Sequence, residues 1–129
     1  MKRSINSMNS PKAIGPYSHA IETGGFLYFL SGQLPIDMDT NIIPESINQQ
    51  THNSIKNVIR VLNACGCAID DVVKTTLFIT SMNDFQEINT IYSSYFKEPY
   101  PARSCVEVHG LPRGSKIEIE VIASKGKID

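Results

Sequence analysis

The chain has 129 residues, 12 basic and 13 acidic side chains, and a formal net charge of -1. That length is one domain's worth, enough to bury about two thirds of the unfolded surface around a single core. The near-neutral balance supplies no overall basic field to hold a phosphate backbone, which argues against nucleic acid as a partner. Hydrophobic residues make up 41% of the chain, and no apolar run approaches the roughly 20 residues of a bilayer-crossing helix, so no membrane role is expected.

Cys65, Cys67 and Cys105 are the three cysteines. An odd count without a signal-peptide pattern suits a reducing compartment better than a disulfide scaffold. Cys65 and Cys67 flank one glycine with no second pair of ligands nearby, so packing at a helix end is expected and a metal is not. The first 21 residues carry Lys2, Arg3 and Lys12 but no acid, a faint likeness to an organelle transit peptide. Tyr17 is assigned to the folded domain, so the reading is one domain over 1–129 with 1–10 as a loosely ordered segment, located in the cytoplasm rather than in an organelle.

In chain order, "AIGPYSHAIETGGFLYFLSGQLP" predicts strands over 17–22 and 26–31, with Gly24-Gly25 as a hairpin signal. Ile47, Thr51, Ile55, Val58, Ile59 and Leu62 recur at three- and four-residue spacings, which predicts an amphipathic helix over 45–65 that ends at Gly66. "VVKTTLFIT", 72–80, alternates Val73, Thr75, Leu77 and Ile79 against Lys74, Thr76 and Phe78 as a strand does. Asn83, with Gln86 three residues on, predicts the cap of a second helix whose stripe is Phe85, Ile88, Tyr92, Tyr95 and Phe96, stopped by Pro99 and Pro101. Strands over 102–108 and 117–124 follow, with "LPRG" turning between them.

The order β-β-α-β-α-β-β most simply gives an α+β fold: a single mixed sheet with two helices packed on one face. The other face keeps Phe78, Ile122 and either Val106 or Leu30, more apolar surface than water tolerates. Burial against further copies of the chain is therefore expected.

Arg103 is the sharpest chemical feature, because a guanidinium on a largely apolar strand needs a partner and its planar fork matches a carboxylate. An internal ion pair with Glu107, Glu118 or Glu120 is as good a reading as substrate binding. Glu118 and Glu120 project from one face of their strand, where they could do general acid or base work or simply face solvent. Cys105 shares the face of Arg103 and reads better as a small buried thiol than as a nucleophile, since no cysteine-histidine pair is evident. Tyr17, after Gly15-Pro16, and Ser31-Gly32, at a strand end, are where a pocket would find a phenol and open backbone amides. Metalloprotease, phosphate-loop and nucleophile-elbow motifs are all missing.

"AIGPYSHA", "SGQLP", "VVKTTLFI", "MNDFQEIN", "PARSCVEV" and "LPRGSKIEIEVIA" together resemble the reactive-intermediate imine deaminases, the RidA/YjgF/YER057c/UK114 family, over residues 11–124. His109-Gly110 is the least family-typical part. The resemblance implies a chorismate-mutase-like (YjgF/L-PSP) subunit, a homotrimer with three clefts between subunits, and hydrolysis of 2-imino or enamine acids such as 2-iminobutanoate and 2-iminopropanoate to 2-oxo acids and ammonia without a cofactor. It also implies that Arg103 clamps the substrate carboxylate, that Glu118 orients the attacking water, and that Tyr17, Ser31, Gly32, Asn89 and Cys105 line the pocket. Two rival functions stand beside it: a small-carboxylate sensor that uses the same cleft without turnover, and the L-PSP-type endoribonuclease or translation-inhibitor activity associated with the family.

Overall fold

The computed structural model describes residues 2–126; Met1 and residues 127–129 of the expected domain lie outside the described residues. Strands are β1 (Lys2–Ile5), β2 (Ala20–Thr23), β3 (Phe26–Phe29), β4 (Val72–Ile79), β5 (Ala102–Glu107) and β6 (Ile117–Lys125), and helices are α1 (Ile47–Ala64) and α2 (Phe85–Tyr95). The main sheet runs β3-β6-β4-β5 and is mixed: β4 pairs with β5 in parallel and with β6 antiparallel. Both helices pack on one face of it. Their seam is the core, where Ile55, Val58 and Leu62 of α1 and Ile88 and Tyr92 of α2 meet Leu77, Ile79, Ile117, Ile119 and Val121 of the sheet. This is the expected α+β architecture, except that β1 and β2 form a separate two-stranded sheet beside the expected mixed one.

Local chemistry sets the helix ends. Ser46 caps α1, accepting a hydrogen bond from Gln49 N–H at 3.1 Å. Gly66, at φ 76°, ends it in the left-handed conformation, and Cys67 N–H returns to Leu62 C=O at 2.8 Å. Cys65 and Cys67 thus sit at a helix end, as expected.

Parts of the sequence reading are corrected. Lys2–Ile5, expected to be loose, pair along β2; Arg3 forms an ion pair with Glu22 across that ladder, and Ser4 hydroxyl donates to Ser18 hydroxyl at 2.9 Å. Gly24-Gly25 does not turn a hairpin, because β2 pairs with β1 whereas β3 pairs with β6. Gly25, at φ 103°, is required by a close approach instead: a Cβ there would stand 2.3 Å from the carbonyl oxygen of Lys125. Asn83 is not the α2 cap. Ser81 accepts from Asn83 N–H at 3.2 Å and opens a 3-10 turn over Met82–Asp84 that leads into the helix at Phe85. The turn expected at "LPRG" is present, as a 3-10 turn over Pro112–Gly114, and it joins strands that are not neighbours, since β4 lies between β5 and β6.

Alternation along β6 buries Ile117, Ile119, Val121 and Ala123 against the helices and turns Glu118, Glu120 and Ile122 to the other face. That outer face also carries Phe78, Val106, Leu27 and Phe29, the last 73% exposed. Leu30, an alternative in the sequence reading, points into the core and Phe29 takes its place outside.

Candidate functional site

Arg103 lies on the helix face. Its strand neighbour is Thr75, whose side chain is fully buried beneath α2. The guanidinium Nη1 donates to Asn89 Oδ1 at 2.6 Å, and the Cζ atom lies 5.1, 5.5 and 5.6 Å from the ring centroids of Tyr92, Phe85 and Tyr17. Cation–π attraction at these distances holds the charge without neutralising it. Among the described residues no buried side-chain nitrogen or oxygen lacks a hydrogen-bond partner, so the guanidinium's remaining donors are open to solvent. An internal ion pair is thereby answered: among the described residues the ion pair is Arg3–Glu22, and Glu107 instead accepts from Met82 N–H at 2.7 Å, fastening the turn before α2.

Tyr17 reaches this cluster from a tight turn rather than from a strand. Its N–H bonds Gly15 C=O at 2.8 Å, and Ser18 N–H bonds Pro101 C=O at 3.2 Å, which ties the turn to the start of β5. A Cβ on Gly15 would stand 3.3 Å from Arg103 Nη2. Cys105 follows on the same face, half-buried; burial pushes its thiol pKa up while Arg103 pulls it down. A protonated thiol at neutral pH fits lining, not nucleophilic attack.

Glu118 belongs to a second cluster. Between Phe29↔Ile122 and Gln33↔Ile119 the pairing of the β3 side with β6 gains one residue on the β3 side, a bulge at Leu30–Gly32. Leu30 N–H to Val121 C=O at 3.0 Å and Gln33 N–H to Ile119 C=O at 2.7 Å anchor its ends, with the Ser31 and Gly32 amides between them. A Cβ on Gly32 would stand 1.9 Å from Glu118 Oε2. The carboxylate therefore lies directly on the Gly32 Cα, in space that only a glycine leaves free.

All seven residues singled out from sequence thus fall into two groups. Arg103, Asn89, Tyr17 and Cys105 gather on the helix face, whereas Glu118, Ser31 and Gly32 gather on the outer face, with the sheet between them. Sequence reasoning missed Phe85 and Tyr92 as parts of the arginine site, since both read as core stripe. A signal was there: Phe85, Asn89 and Tyr92 are spaced by four and three residues, so one helix face carries two rings and an amide.

Residues 7–125 match the family described as Endoribonuclease L-PSP. The chain belongs to that family. It is 47% identical to a RutC family protein of Pyrococcus horikoshii over 97% of this chain and 99% of that one. It is 42% identical to the 2-iminobutanoate/2-iminopropanoate deaminase of Salmonella typhimurium over 95% and 98%. A crystal structure of Escherichia coli TdcF with bound serine superposes with a TM-score of 0.75 at 40% identity, over 96% of this chain and 99% of that one. The resemblance to the RidA/YjgF proteins and the fold it implies are thereby established.

Proposed function

We propose that this family member hydrolyses small 2-imino or enamine acids to 2-oxo acids and ammonia, at clefts formed between copies of the chain in a homotrimer. The observation that carries the reading is the split of the site: an open arginine fork in an aromatic cradle on one sheet face, and a carboxylate laid against the Gly32 Cα of a bulge on the other. Apolar side chains exposed around Glu118 on the outer face favour covering it with another copy, whose arginine group would meet the glutamate at the seam. The relative named as a 2-iminobutanoate/2-iminopropanoate deaminase, at 42% identity, supports the reaction class, and the relative crystallised with serine supports a ligand of that size.

The chemistry needs little. Arg103 takes the substrate carboxylate bidentately and fixes C2 relative to Glu118. Glu118 accepts a proton as water adds to C2 of the protonated imine, giving a neutral carbinolamine; that proton passes to nitrogen to make ammonia the leaving group, and as the C–N bond breaks the hydroxyl proton goes to Glu118, leaving the 2-oxo acid. The Ser31 and Gly32 amides are free to orient the water or the developing hydroxyl. As for the ribonuclease in the family's name, His19 is engaged at both ring nitrogens, with Ser7 N–H at 2.9 Å and Pro11 C=O at 2.8 Å, and His52 faces the Tyr95 hydroxyl at 2.8 Å. Neither is placed as one of a pair for in-line phosphate chemistry.

The test uses 2-iminobutanoate generated by an amino-acid oxidase. Its decay should be accelerated by the protein, and by Arg103→Ala or Glu118→Gln at least about 100-fold less. Refolding the two inactive variants together should restore about one quarter of the sites if each site draws one residue from each of two copies. Wild-type decay equal to buffer would sink the reaction, and no recovery in the mixture would sink the shared cleft.

A further inference from the structure

We infer that Tyr92, pinned by Thr75, is a positioning residue that fixes the Arg103 guanidinium with its free donors facing the ligand. The inference rests on the carboxylate-binding reading above and adds a residue to it. Three rings surround the guanidinium, but they differ in how they are held. Tyr17 stands on a turn and Phe85 opens α2, both partly exposed, whereas Tyr92 is fully buried and gives the shortest separation, 5.1 Å.

Two contacts immobilise that ring. It stacks on Phe96 with centroids 4.2 Å apart and planes 20° from parallel. Its hydroxyl lies 2.9 Å from Thr75 Oγ1, and Thr75 is the β4 residue in register with Arg103. The bond therefore ties α2 to the sheet at the rung that carries the arginine. The circuit closes on itself: Arg103 beside Thr75, Thr75 to the Tyr92 hydroxyl, and the Tyr92 ring back to Arg103. Asn89, one turn earlier on α2, takes one guanidinium nitrogen from the same side. Helix contacts thus use one flank of the arginine and leave the other for an anion. Burial pushes the Tyr92 phenol up to about 12, despite the opposing pull of the Thr75 bond and the Arg103 charge. Through the whole neutral range it is a neutral ring under a cation, not a phenolate that would compete with an incoming carboxylate.

The deciding measurement is made on the arginine itself. In protein labelled with 15N and 13C at arginine, rotation about the Cζ–Nε bond of Arg103 is slow when the guanidinium is held and fast when it is free. Wild type should be slow, Thr75→Val and Tyr92→Phe intermediate, and Tyr92→Leu fast. In parallel, binding of 2-oxobutanoate should weaken about 3- to 5-fold in the first two variants and about 30-fold in Tyr92→Leu. Unchanged Arg103 rotation in a folded Tyr92→Leu overturns the inference. Should that variant fail to fold, unchanged rotation in both Thr75→Val and Tyr92→Phe overturns it equally. Slow rotation in wild type that is lost in the variants, with no acceleration of imino acid decay by any of them, would uphold the pinning while the deaminase reading fell.

Discussion

The two charged residues at the centre of this protein are held in place by opposite means. Arg103 is surrounded: three rings, an amide and the flank of α2 fix it from the helix side. Glu118 is accommodated: a bulge puts Gly32 beneath it, and the carboxylate occupies the volume where a side chain would begin. Among the described residues no group donates a hydrogen bond to that carboxylate. One site half is therefore built by adding side chains and the other by leaving one out, so the two should fail in different ways.

The largest contrast is expected from Gly32→Ala. The new methyl would overlap Glu118 Oε2, and it would also crowd the Cδ and Cγ atoms, at 2.7 and 2.9 Å, so the whole carboxylate must swing away. Because Glu118 is only half-buried, its carboxylate accepts no hydrogen bond among the described residues, and the Gly32 backbone needs no left-handed conformation, the swing costs little stability. Deaminase activity should fall about 100-fold in kcat while the urea midpoint barely moves. A fall in stability matched by intact activity would show that Glu118 does not need its seat.

The arginine half should instead betray itself through stability and pH. Tyr92 in the native state keeps its proton up to about 12, whereas in the unfolded chain a tyrosine loses it near 10. Between those values the unfolded state binds fewer protons than the native one, so stability falls as pH rises through the window. Comparing urea unfolding of wild type and Tyr92→Phe at pH 8, 10 and 11.5 isolates this contribution. Wild type should lose up to about 2 kcal/mol more than the variant over that span. A constant gap would mean that the phenol is not held in its buried, hydrogen-bonded place.

How much of this was legible in the sequence follows the same division. Alternation in "VVKTTLFIT" and "IEIEVIAS" assigned core and outer faces correctly, because each strand has a buried side and period two leaves no latitude. The helix over 45–65 was equally plain. What alternation does not carry is which strands are neighbours and in what register: β4 between β5 and β6 is a tertiary outcome, and its register sets Arg103 beside Thr75 on the helix face and Glu118 beside Phe78 on the outer face. The same gap hid the pairing of Lys2–Ile5 with β2, since four residues with one apolar side chain among them mean little until a partner strand is known. Arg103 is singled out by its chemistry and Glu118 by the resemblance. Gly32 was found as a strand-end glycine, yet its reason, the carboxylate lying on it, needs coordinates. Tyr92 was found only as core, and it is core; its second task depends on the hydroxyl meeting Thr75 across the helix–sheet seam.

The smallest effect should come from the same substitution made on the other side. Gly15→Ala places a methyl 3.3 Å from Arg103 Nη2, 3.8 Å from Asn89 Nδ2 and 3.9 Å from Tyr17 Cδ2. Only the first of these is tight, and relief requires a few tenths of an ångström. The guanidinium cannot swing as Glu118 can, because the rings and Asn89 hold it. It should shift slightly in its cradle, with the methyl also shading one donor of the open fork. Affinity for 2-oxobutanoate should then drop about 3-fold with kcat unchanged, a loss confined to carboxylate binding. Were Gly15→Ala as damaging as Gly32→Ala, and damaging in kcat, the arginine would be as loosely seated as the glutamate, and the distinction between a residue that is surrounded and one that is merely given room would collapse.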